Sequence, residues 1–153
     1  MVYKKKWQFQ FPDYASYELQ TINNKKPVKD IYDLLKSRKS SFFHQREYTQ
    51  IFIASMALGY VNKNRLPLKH KSRSIPTKVF SKEEKWMMIS IAIEQQKDLS
   101  IIKEEQKILN LAEEYANGGI YFLYELYEEG ITTNPIENLE VYFRQELNRR
   151  ISI

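Results

Sequence analysis

The sequence predicts an all-α fold: a compact single domain of about six helices over residues 1–153, opened by a short strand or extended arm. Three observations carry this. Apolar residues recur at three- and four-residue spacing through most of the chain, which places them on one face of a helix. Caps and stops bracket those stretches. Alternation with a period of two, the strand signal, is confined to the opening residues.

In chain order, residues 1–11 carry Lys4, Lys5 and Lys6, then Trp7, Phe9 and Phe11 alternating with Gln8 and Gln10. This reads as a short strand inside a basic, aromatic arm of residues 1–26, with Pro12-Asp13 ending it. Pro27 suits the first position of a helix, and Val28, Ile31, Leu34 and Leu35 then recur at helical spacing. Lys36, Arg38 and Lys39 fit the negative end of that helix dipole. From 47 to 61 the pattern is apolar almost all round, so this helix belongs in the middle of a core. Residues 62–78 form a connection without apolar periodicity. Ser81 with Glu84 is a capping-box pair, and 86–93 continues as a second buried helix within 82–96. Ser100 is placed to cap a fourth helix with Ile101, Ile108, Ala112 and Tyr115 on its stripe. Asn117-Gly118-Gly119 reads as a left-handed stop, giving a sharp corner before a helix over 120–129. Asn134, Pro135 and Glu137 open a last helix ending near Arg150.

Composition bounds what the domain does. At 153 residues and 18.4 kDa it buries enough surface to fold without a staple. Cysteine is absent, which removes disulfides, thiolate metal sites and cysteine nucleophiles and fits a reducing compartment. Mean hydropathy is −0.58 and no apolar run nears the ~20 residues that span a bilayer. No secretory signal opens the chain, so the expected location is the cytoplasm, with no membrane partner. Charge is divided unevenly. Residues 1–80 hold 16 Lys/Arg against 5 Asp/Glu, a net +11, whereas 81–153 hold 8 against 14, a net −6. A basic half attracts polyanions before any contact forms.

The strongest local feature is the basic connecting loop, 62–78. Lys63, Arg65, Lys69, Lys71, Arg73 and Lys78 lie in it, no acid of the same segment offsets them, and His70 adds a further charge once protonated. Its serines and threonine are neutral donors to phosphate oxygens. Long connections in small domains are usually functional or disordered, and Pro67 and Pro76 restrict this one. The expected partner is the backbone of double-stranded DNA. Four phosphates neutralised by the loop give a slope of log K against log salt of roughly −3.6 on a duplex.

Other chemistry is poorly supported. Tyr121, Tyr124 and Tyr127 lie three apart near one helical face. Glu125, Glu128 and Glu129 beside them repel phosphate, so they read as a half-buried or protein-contact stripe. His44 and His70 are the two histidines, neither with a second ligand at metal spacing. The paired glutamates at 83–84, 104–105, 113–114 and 128–129 diverge by ~100° on a helix and read as solvated faces. Pro12-Asp13 with Glu18-Leu19-Gln20 partly resembles the metal-dependent nuclease signature. However, four residues separate the acids and Gln20 stands where that signature has lysine. No catalytic residue, metal site or cofactor is therefore assigned.

Several segments are familiar in combination. They are Glu47-Tyr48 leading into Ile51-Phe52 and Ala57-Leu58-Gly59-Tyr60, then Pro67-Leu68 and Ser74-Ile75-Pro76. Val79-Phe80, Glu83-Glu84-Lys85-Trp86 and Ile91-Ala92-Ile93 follow, and last Ala112-Glu113-Glu114-Tyr115-Ala116-Asn117-Gly118-Gly119-Ile120. Over this half of the chain the order resembles a small bacterial family, DNA phosphorothioation-associated protein 4. The resemblance implies an accessory place beside sulfur-for-oxygen modification of the DNA backbone and its linked antiviral restriction. It supplies no catalytic motif. Two expectations follow: DNA contact through the basic loop, or docking of a larger modification or restriction protein through the acidic, tyrosine-rich C-terminal half.

Overall fold

The computed structural model describes residues 10–21 and 25–130, with the exposed helical residues Arg144, Gln145, Asn148, Arg149 and Ile151. Its elements are β1 (Tyr14–Ala15), α1 (Val28–Ser37), α2 (Tyr48–Val61), β2 (Ile75–Pro76), α3 (Lys82–Gln96) and α4 (Glu105–Glu128). Two 3-10 turns, Thr77–Val79 and Leu99–Lys103, join β2 to α3 and α3 to α4.

α2 has no polar face, as its sequence requires, and Ile51, Phe52, Met56 and Leu58 are almost fully buried. It lies along the 24-residue α4, the main helix–helix contact among the described residues. The two approach closely because glycines face each other. A Cβ on Gly119 would sit 1.7 Å from the Ser55 carbonyl oxygen, and one on Gly59 would sit 2.0 Å from the Tyr115 carbonyl oxygen. Real Cβ atoms do not come that near to backbone, so both positions require glycine. α1 covers α2 and α4 through Val28, Ile31, Tyr32 and Leu35. Its Tyr32 stacks on Tyr17 at 5.2 Å and meets Tyr48 of α2 edge-on at 5.4 Å. Ser55 contributes a buried hydroxyl with no hydrogen-bond partner among the described residues. An unpaired buried hydroxyl costs about 1 kcal/mol or more, so Ser55→Ala should hold or raise the melting temperature, as a calorimetric scan would read.

Several sequence expectations are corrected. Four α-helices are described rather than about six. The predicted corner at 117–119 does not exist, because the glycines seat α4 against α2 and against the 62–78 loop instead of stopping it. The last predicted helix, 134–150, falls mostly outside the described residues, as does the strand predicted within 1–11. The strand that is described comes after Pro12-Asp13, not before it. The fourth helix starts at Glu105, and the side chain capping the turn ahead of it is Asp98, which accepts from the Ser100 amide, rather than Ser100. α3 has the predicted capping box of Ser81 and Glu84, but it is half-buried. Met88, Ile89, Ile91 and Ala92 face the core, whereas Trp86 and Met87 are 44% and 42% exposed. No described helix is long and apolar enough to cross a membrane.

Candidate nucleic-acid interface

The 62–78 loop is held at both edges. On one side it pairs with the chain around β1. Tyr14 opposes Pro76 and Ala15 opposes Ile75, antiparallel, and an isolated bridge joins Glu18 to Lys71. Two residues lie between Ala15 and Glu18 while three lie between Lys71 and Ile75. The extra residue makes a bulge in the loop strand, and Arg73 within it has φ of +49°. Bulges re-aim side chains. Here Arg73 is exposed while its amide donates to Ser16 Oγ at 2.8 Å. Lys63 has φ of +53° just after α2, the left-handed exit common at helix ends.

On its other side the loop runs along α4. Asn64 Nδ2 donates to the Gly118 carbonyl at 3.0 Å. A Cβ at Gly118 would come within 1.9 Å of the Asn64 oxygen, so this glycine is the loop's seat. The Leu66 amide donates to the Glu114 carbonyl at 3.1 Å, and Asn117 Nδ2 donates to the Leu66 carbonyl at 3.1 Å. Further along, Lys71 Nζ reaches Asn110 at 3.0 Å and Glu113 at 2.9 Å. From Gly118 back to Asn110 is eight helical residues, or about 12 Å of rise. The run 112–120, the last segment of the resemblance, is thus a docking strip for the basic loop.

Two buried carboxylates fasten the loop. Glu113 is 2% exposed and accepts from the Ser16 amide at 2.6 Å as well as from Lys71. Glu18, also 2% exposed, accepts from the amides of Lys69, His70 and Gln20, with His70 Nδ1 at 3.6 Å. Acids distant in sequence therefore do meet this segment. Arg65 pairs with Glu114 and Lys71 with Glu113, so these two cations are engaged inside the protein. The expectation that 113–114 is a solvated pair is corrected, since each carboxylate takes one loop cation. Lys63, Lys69, Arg73 and Lys78 are exposed and make no ion pair among the described residues.

Two clefts open beside the loop. The first, about 300 Å³, has walls from Leu66, Pro67 and Tyr121, with Glu18, Asn117, Lys25 and Lys69 around them. Lys25 Nζ stands 4.7 Å from the centre of the Tyr121 ring. Burial, and then the Glu18 carboxylate, push the Tyr121 phenol above its usual value. The second, about 380 Å³, is lined by Asp13, Ser16, Lys71, Arg73 and Glu113 among others. Asp13 and Glu18, the acids of the partial nuclease pattern, do not share it, because Glu18 is turned to the loop amides. Among the described residues no group of three or more His, Asp or Glu is placed to hold a metal ion.

The tyrosine stripe begins at the first cleft with Tyr121 and is partly covered by the chain itself. Tyr121 donates to the Lys26 carbonyl at 3.4 Å, Lys26 Nζ lies 5.7 Å from the Tyr124 ring, and Tyr127 shares a 3.0 Å hydrogen bond with Ser40. A hydrogen bond to Glu128 holds the Tyr124 phenol above its usual value. Lys4, Lys5 and Lys6 fall outside the described residues. Sequence reasoning missed Glu18 and Glu113, although Glu113 sits four residues past Leu109 and three before Ala116, on a buried arc.

A family model described as DNA sulphur modification system-associated protein 4 matches residues 22–150. No curated protein and no solved structure matches the chain.

Proposed function

The chain belongs to the DNA sulphur modification system-associated protein 4 family, and from that membership we propose that it is a non-catalytic accessory protein holding the DNA backbone through its 62–78 loop. The setting is bacterial phosphorothioation and the antiviral restriction linked to it. The contacting groups are Lys63, Lys69, Arg73 and Lys78, with His70 when protonated, while Arg65 and Lys71 hold the loop in place. One observation carries the reading: four exposed cations stand on a loop whose backbone is fixed at Lys69 and His70 by Glu18 and at Arg73 by Ser16. A preordered loop loses little entropy on binding, so more of its electrostatic attraction is expressed as affinity.

The test is duplex binding followed by fluorescence anisotropy across a salt series. The wild-type protein should retain a random-sequence duplex at about 50 mM salt, with a slope near −3.6 for four phosphate contacts. Lys63→Glu, Lys69→Glu and Arg73→Glu combined should abolish retention with helicity unchanged. Failure of the wild type to bind, or retention by the triple variant, overturns the proposal. Docking of a larger system protein through Tyr121, Tyr124 and Tyr127 has less support, because Lys25, Lys26 and Ser40 already occupy part of that stripe.

A further inference from the structure

We propose that the cleft between Leu66, Pro67 and Tyr121 takes the sulfur atom of a phosphorothioate linkage in DNA, so that the loop distinguishes modified backbone from ordinary backbone. This rests on the backbone-binding reading above and names its ligand.

The cleft lies where the basic loop meets α4, and Lys69 belongs both to it and to the exposed cations. Lys25, held over the Tyr121 ring, brings a second ammonium group. Two cations beside apolar walls are an odd site for an ordinary phosphate diester. Both non-bridging oxygens of such a group are strongly hydrated, and turning one toward Leu66 and Pro67 would strip its water without supplying a donor. Replacing that oxygen with sulfur keeps the single negative charge but changes what one side of the anion prefers. Sulfur is larger, more polarisable and a weaker acceptor. It gains dispersion contact from an apolar wall and loses little hydration there. The remaining oxygen still faces the ammonium groups.

Glu18 at the same cleft opposes an anion with a single charge, which the two ammonium groups of Lys25 and Lys69 outnumber. Its side chain is 1% exposed and its oxygens are committed to the amides of Lys69, His70 and Gln20. Asn117 is likewise engaged, donating to the Leu66 carbonyl and so fixing the wall. At about 300 Å³ the space admits a thiophosphate group with part of its sugar. The family's association with DNA sulphur modification makes such a linkage an available ligand.

Two duplexes of one sequence test the proposal, one unmodified and one carrying a single phosphorothioate, with each phosphorus diastereomer synthesised separately. One diastereomer should bind about tenfold tighter than the unmodified duplex, the scale on which a pocket reads one added apolar group. Leu66→Ser should erase that preference while leaving unmodified-duplex affinity in place. Pro67→Ser, at an exposed position where folding is not at risk, should reduce it in the same way. Equal affinity for modified and unmodified duplexes overturns this inference and leaves backbone binding standing. A preference that survives both substitutions overturns the assignment to this cleft. No binding to any duplex overturns both readings together.

Discussion

Gly119→Ala should leave the protein unfolded or melting at least about 10 °C lower. The added carbon would sit 1.7 Å from the Ser55 carbonyl oxygen and 2.5 Å from the Gly59 amide nitrogen. Both are backbone atoms of α2, so no side chain can rotate away, and relief requires moving one helix off the other. Those helices bury Ile51, Phe52, Met56, Ile108, Ala112 and Ile120 between and around them. Separating them opens voids whose cost per large side chain runs to about 2–5 kcal/mol. Alanine's higher helix propensity returns about 1 kcal/mol, too little to matter. Gly118→Ala supplies a contrast, because its carbon meets Asn64 of the loop rather than a helix. A loop yields more easily, so that variant should fold but lift the start of 62–78. Gly130→Ala, with open space around it and φ of +75°, should cost only about 1 kcal/mol. Thermal melts by circular dichroism of the three variants give the order, and a Gly119→Ala melt close to wild type would refute the close-approach account.

This ranking also marks where the sequence was readable. The two central helices were visible, and α2 and α3 begin within a residue of where their patterns do, because apolar periodicity and a capping box are local signals. The glycine pair was misread for a physical reason. A glycine that ends a helix and one that lets another segment approach look identical in one dimension, and only the partner, 60 residues away at Gly59 for Gly119 and 54 away at Asn64 for Gly118, separates them. The same holds for the loop. Its cations were legible, but Arg65 meets Glu114 and Lys71 meets Glu113 across 49 and 42 residues, and no local spacing announces such pairs. The strand at β1 was hidden because Tyr14–Ala15 is only two residues long and is specified by its partner rather than by its own pattern. The internal pairs reduce the loop's free charge, yet by fixing its backbone they set which four cations remain outward.

Glu113→Leu should therefore damage both stability and the loop. The carboxylate is buried and serves two groups at once, the Ser16 amide and the Lys71 ammonium. Leucine fills similar volume but offers no acceptor, so a buried amide goes unpaired at about 1–3 kcal/mol. Lys71 also loses its counter-charge. Because its side chain is 35% exposed, it can turn to water, and that loss stays well below the 3–5 kcal/mol of a fully buried broken pair. The expected total is about 2–4 kcal/mol, read by denaturant titration. Glu113→Gln keeps an acceptor for Ser16 and should cost roughly half as much. Trypsin provides an independent readout, since a loop released from α4 exposes Lys69, Lys71 and Arg73 to cleavage. Glu113→Leu should be nicked there far faster than wild type under conditions where both are folded, and Glu113→Gln should lie between. If Lys71→Met is added to Glu113→Leu, the unpaired cation disappears and part of the stability should return, while the Ser16 amide keeps its share of the loss. A double variant no better than Glu113→Leu alone would mean that Lys71 contributes charge to the surface and nothing to the seat of the loop.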